Sequence, residues 1–177
     1  MKTLKTIVAA CLLLITVGVT AQNDKDKKIM KDAEKAKTTL MAKDAGLDKF
    51  FQNSSGYAIF PNVGKGGLII GGASGNGVLY ENGIATGMAS LKKINIGLQA
   101  GGQAVIQVVF FETDDALAKF KEGNYEFSAE ASAVIADKGA SEDANYNDGV
   151  IVFALPKAGL MADASIGGQK FEYDAFK

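Results

Sequence analysis

Nineteen of the 21 glycines lie between Gly56 and Gly168. Apolar residues there come in short, often alternating runs. A glycine inside a helix costs about 1 kcal/mol relative to alanine, so this density disfavours a helical bundle. It suits short strands that bend, because glycine in a strand usually marks a bulge or a close approach. The pattern predicts strands near Tyr57–Phe60, Gly67–Gly72, Gly77–Tyr80, Ile84–Ser90, Ile94–Phe111 (one strand or two), Tyr125–Ala136, Val150–Ala154, Leu160–Ile166 and Lys170–Tyr173. Glu81-Asn82-Gly83 and Gly167-Gly168 read as tight hairpin turns. One helix interrupts the series: Thr113 caps it, Asp114 and Asp115 suit its positive end, Leu117 and Phe120 give its apolar side, and Gly123 stops it. The expectation is an α+β fold, with a strongly curved antiparallel sheet or a small β-barrel, whose closure would remove exposed edges.

The segment before the glycines has a different period. Asp24 to Phe51 has no proline and one glycine, Gly46, expected to mark a break or cap. At 100° per residue, Ile29, Ala33, Ala36, Leu40, Leu47 and Phe51 share one sector. Lys27, Lys31 and Lys35 repeat every four residues on the opposite face, with Lys28 beside them. Two readings stay open. The helix packs its alanine stripe on the core and its lysines are merely solvated, or it meets an anionic membrane surface.

The first residues suggest export. Lys2 and Lys5 precede an apolar run from Ile7 to Val19, and Val19-Thr20-Ala21 offers a signal-peptidase site, so a mature start at Gln22 is expected. Val8-Ala9-Ala10-Cys11 resembles a lipobox, but the apolar run continues past Cys11. The expected organisation is a signal peptide over 1–21, an amphipathic helical segment over 22–52 and a β-rich domain over 53–177. The location expected is the periplasm or cell envelope, peripheral to a membrane. Beyond residue 21 there is no cysteine, and the whole chain has no His, Trp or Arg. These absences argue against a Ser-His-Asp triad, a cysteine nucleophile and the usual zinc sites. They also remove bidentate phosphate clamping by arginine. After residue 21, 17 lysines face 20 acids, a net charge of −3 that argues against nucleic-acid binding. No cofactor and no enzymatic activity are expected.

Other motifs fail on spacing or context. Gly64-Lys65 lacks the remainder of a P-loop, and Gly71 to Gly77 precedes a strand where a dinucleotide fingerprint precedes a helix. Asp143, Asn145 and Asn147 have calcium-loop spacing, but Asp148 and Ala154 stand where glycine and glutamate are needed. Between Gly97 and Phe111, Gln99, Gln103 and Gln107 share one strand parity. They form a wet face, line a groove that bonds a head group, or brace a curved sheet from inside.

Four ordered blocks carry a family resemblance. Phe60-Pro61-Asn62-Val63-Gly64-Lys65-Gly66-Gly67, with Gly71-Gly72 and Gly75-Asn76-Gly77-Val78-Leu79, resembles the opening of the SYLF domain. Gly97-Leu98-Gln99-Ala100-Gly101-Gly102-Gln103 is similar to that family's G-L-Q-A-G-x-Q signature. Phe110 to Leu117 resembles its strand-to-helix step, and Asp148 to Phe153 with Lys157 to Ala162 its closing segment. The likeness runs from about residue 30 to 173. Asp163 replaces a usual glycine, and Tyr125-Glu126-Phe127-Ser128 lacks the tryptophan of the matching block. The resemblance implies binding of anionic phospholipid. By position it implies contact through Lys27, Lys28, Lys31 and Lys35, with Gln99 and Gln103 as candidates in the β domain. The competing expectation is a structural or interaction module with a protein partner and no lipid.

Overall fold

The computed structural model describes residues 24–66, 71–95, 103–123, 132–135, 139–157 and 169–176. The expected signal peptide, the strand at Leu160–Ile166 and the turn at Gly167-Gly168 lie outside them.

Helix α1 spans residues 24–43. It stops at Asp44, whose side chain accepts a hydrogen bond from the Gly46 N–H at 3.0 Å and so caps a 3-10 turn, Ala45–Leu47. Helix α2, Asp48–Asn53, follows. The break expected near Gly46 is thus present, with Asp44 as its cause. Among the described residues seven strands follow in chain order: β1 (Gly56–Gly66), β2 (Gly71–Glu81), β3 (Ile84–Asn95), β4 (Gln103–Phe111), β5 (Ser132–Val134), β6 (Val150–Pro156) and β7 (Gln169–Ala175). Helix α3, Asp114–Lys121, lies between β4 and β5. The sheet order is β5-β6-β4-β1-β2-β3-β7. From β6 to β7 every adjacent pair is antiparallel, and β5 pairs in parallel with β6.

Local chemistry accounts for the bends. Asn82 and Gly83, at φ 52 and 77, make the β2–β3 turn, as the Asn-Gly pair predicts. The β1–β4 register shifts between Phe60 and Val63, around Pro61, which has no N–H for the ladder. Beside β7, Gly87 lies under the Tyr173 ring, where a Cβ would collide with the ring and with the Asp174 carbonyl.

Each face of the sheet buries its own core. Tyr57, Ile59, Val78, Tyr80, Val108, Phe110, Ile151 and Phe153 point to one face and pack with Ala33, Ala36 and Leu40 of α1 and Phe50 of α2. Ala58, Phe60, Leu79, Leu91, Val109, Phe111, Val152 and Phe171 point to the other, with Leu117 and Phe120 of α3. Being covered on both sides explains why Val150 to Leu155 is apolar without alternation.

The second face is concave. In a flat sheet β4 and β7, four strand spacings apart, would be separated by roughly 19 Å. Instead Gln107 of β4 donates a hydrogen bond from Nε2 to Oε1 of Gln169 in β7 at 2.8 Å, and both side chains are buried. Phe60 and Phe171 also meet, with ring centroids 5.6 Å apart.

The sheet is curled but open, and this corrects the barrel alternative: β5 and β7 remain its edges among the described residues. Helix α3 occupies the concavity. Phe120 packs between Phe111 and Phe171 with tilted rings, centroids 4.8 and 5.6 Å away, so side chains bridge the curl where closure would need backbone pairing.

Candidate functional site

The lysines of α1 sit where its period places them. Lys27, Lys28, Lys31 and Lys35 are all exposed, as are Lys25 and Lys43. On the same helix only Asp24 and Glu34 are exposed acids, while Asp26 and Asp32 are half-buried. The outward face is therefore basic, although the chain is not. Most of its apolar stripe is docked: Ala33, Ala36 and Leu40 are 0, 3 and 0% exposed against the sheet, while Ile29 is half-buried.

Polar contacts fix the helix further. Lys37 donates to the Tyr57 hydroxyl at 2.9 Å and lies over the Phe51 and Tyr57 rings, at 4.7 and 5.0 Å from their centroids. Burial, and then a hydrogen bond to Glu34, pushes the Tyr80 phenol well above its ordinary range. Lys37 is thus a structural lysine among solvent-facing ones. With Ala33, Ala36 and Leu40 docked and Ile29, Met30 and Met41 half-buried, what the outward face of α1 mainly offers is charge.

The glutamine candidates divide. Gln99 and the side chain of Gln103 lie outside the described residues; the Gln103 backbone pairs with Lys65. Gln107 is described, and at 2% exposure it is an internal brace on the concave face rather than part of a wet one.

A second polar feature escaped the sequence reading. Where α1 leaves the sheet face uncovered, the strands present Ser74 and Asn76, Ser90 and Lys92, and Lys170, Glu172 and Asp174. Register aligns Asn76, Ser90 and Glu172 in one row and Ser74, Lys92 and Lys170 in the next. The period-two polar pattern was visible in each strand, but only cross-strand register joins the three. Lys92 bridges Glu172 at 3.3 Å. Hydrogen bonding from Lys92, more than any other influence, holds the Glu172 carboxyl below its ordinary range.

The fold and this surface define an α+β domain with an open, curled sheet and a basic helix docked across its outer face. The family model described as "Ysc84: Las17-binding protein actin regulator" matches residues 92–175. Beta cell expansion factor A of Aeromonas veronii is 29% identical over 145 residues, which are 80% of this chain and 54% of that protein. The chain spans about half the length of this curated relative. Residues 92–175 are thus similar to the Ysc84 family, which agrees with the SYLF resemblance read from the sequence blocks in that span.

Proposed function

We propose that this protein is a non-enzymatic, exported, peripheral lipid-binding protein that contacts anionic phospholipid through the outward face of α1. The observation that carries the reading is the segregation of charge on that helix. Lys27, Lys28, Lys31 and Lys35 point to solvent while the apolar stripe is committed to the sheet. A lysine near an anionic membrane surface contributes on the order of 1 kcal/mol, and the attraction decays within a Debye length, about 8–10 Å near physiological salt. A docked helix of this kind gives reversible, salt-sensitive adhesion rather than insertion. Among the described residues no helix is long and apolar enough to cross a membrane. A cell-envelope location fits the leader-like first 21 residues.

The lysine variants test the reading. In Lys27→Gln/Lys31→Gln/Lys35→Gln, unfolding stability stays within about 1 kcal/mol of the parent, because all three side chains are exposed. Sedimentation with phosphatidylglycerol vesicles falls at least tenfold and loses most of its salt dependence. Unchanged sedimentation would remove α1 from the site.

The second reading is a protein-interaction module. It is favoured by the description of the matching family, which names a binding partner protein. Binding of a protein partner with no vesicle binding at any salt concentration would select it.

A further inference from the structure

Between the N-terminal end of α1 and the uncovered part of the sheet lies a groove made of two joined hollows. The first, about 590 Å³, is lined by Asp26 and Ile29 of α1, Met88 of β3, and Glu172 and Asp174 of β7. Among its described lining residues one base, Lys25, faces three acids, so its charge favours a cation. The second, about 460 Å³, is lined by Asn62, Gly64, Ser74 and Lys92. Among its described lining residues the charged side chain is Lys92, and Lys157 donates to Asn62 Oδ1 at 3.2 Å from beside it. A Cβ on Gly64 would meet nothing within 4 Å, so a ligand can lie directly against that backbone. Asn76 and Ser90 belong to both hollows and join them. The volumes lie in the range of small-molecule sites.

The groove thus sets a carboxylate and an ammonium side by side, with amide and hydroxyl groups between its halves. The two charges now satisfy each other across 3.3 Å, with the side chains 66% and 51% exposed. So exposed a pair is weakly held and can be exchanged for better-placed partners. A ligand that exchanges it without leaving either charge alone must carry both signs, a short distance apart. The short apolar wall of Ile29 and Met88 suits a carbon skeleton attached to that zwitterion.

We propose that this groove binds the phosphoethanolamine head group of a phospholipid, its ammonium at Glu172 and its phosphate at Lys92, Ser74 and Asn76. The source of the head group rests on the membrane reading above; the groove chemistry does not. On a surface held by the α1 lysines, the groove adds recognition of one zwitterionic lipid among anionic ones.

The full chain is titrated with glycerophosphoethanolamine, glycerol 3-phosphate and ethanolamine while amide resonances are followed. Glycerophosphoethanolamine shifts the signals of Asn76, Ser90, Lys92 and Glu172, and each single-charge fragment binds at least about tenfold more weakly. Lys92→Gln and Glu172→Gln each weaken the intact probe by a similar factor. Replacing part of the phosphatidylcholine in phosphatidylglycerol vesicles by phosphatidylethanolamine tightens binding of the parent but not of Glu172→Gln. Equal binding of the fragments, or no shift in the groove, overturns the site. Probe binding without an effect of phosphatidylethanolamine in vesicles overturns its assignment to a lipid. Failure to bind any phosphatidylglycerol vesicle, with the probe bound, overturns the membrane reading instead.

Discussion

Gln107 shows how one buried amide sets the curvature of the sheet. Its partner Gln169 is 62 residues away in sequence and four strands away in the sheet, and their hydrogen bond is buried. Removing one member leaves a buried polar group unpaired, which costs about 1–3 kcal/mol, while replacing both by apolar groups of similar size is nearly neutral. Gln107→Leu is therefore expected to destabilise by about 2 kcal/mol, and Gln107→Leu/Gln169→Leu to recover most of that loss. Denaturant unfolding of both variants checks this, and an additive double variant would contradict it. The sequence placed Gln107 on a face with Gln99 and Gln103 but left open whether that face was wet, ligand-lined or internal. Parity cannot tell which side of a strand is buried when both sides are largely apolar, and here both are.

At the scale of elements, the short-range signals were legible because their causes are local. Thr113 Oγ1 accepts from the Ala116 N–H at 3.2 Å, and Gly123 at φ 82 ends α3, as the cap and stop residues implied. The stripe of α1 is buried where its 3.6 period put it. What local pattern could not supply was the length of β1, which runs through Pro61 to Gly66, and the anchor at the end of α1. That anchor is Asp44. Burial opposes its charge, but hydrogen bonds from the Ser141 N–H and hydroxyl, both at 2.8 Å, and from Gly46 hold its carboxyl below the ordinary value of 3.8. Ser141 is 97 residues away, so no sequence window joins the pair. A depressed folded-state pKa stabilises the protein above the unfolded value and is lost as pH falls through the folded one. Parent stability should therefore decline below about pH 4 more steeply than that of Asp44→Asn, whose stability is lower but flatter across that window. Parallel stability curves for the two proteins between pH 2 and 5 would contradict the assignment.

For the whole molecule, the sheet is covered on one face by α1 and α2 and filled on the other by α3. It curls far enough for side chains to bridge it and, among the described residues, stops short of closure. Composition pointed to this curvature through the glycines but could not choose between a barrel and an open sheet. In the structure Phe120 of α3 fills the space between Phe111 of β4 and Phe171 of β7, so side chains rather than backbone pairing span the curl. The same architecture shapes the proposed function. A helix that docks Ala33, Ala36 and Leu40 on the sheet turns a mainly basic face outward, six lysines against Asp24 and Glu34, so the membrane contact proposed for it is electrostatic and leaves the fold intact. Hydrogen exchange on the protein bound to phosphatidylglycerol vesicles, read across a salt series, tests this most directly. The account predicts that binding weakens steadily with salt while the amides around Ala33, Ala36 and Leu40 stay as protected as in free protein. Salt-independent binding, or loss of that protection on the vesicle, would contradict it.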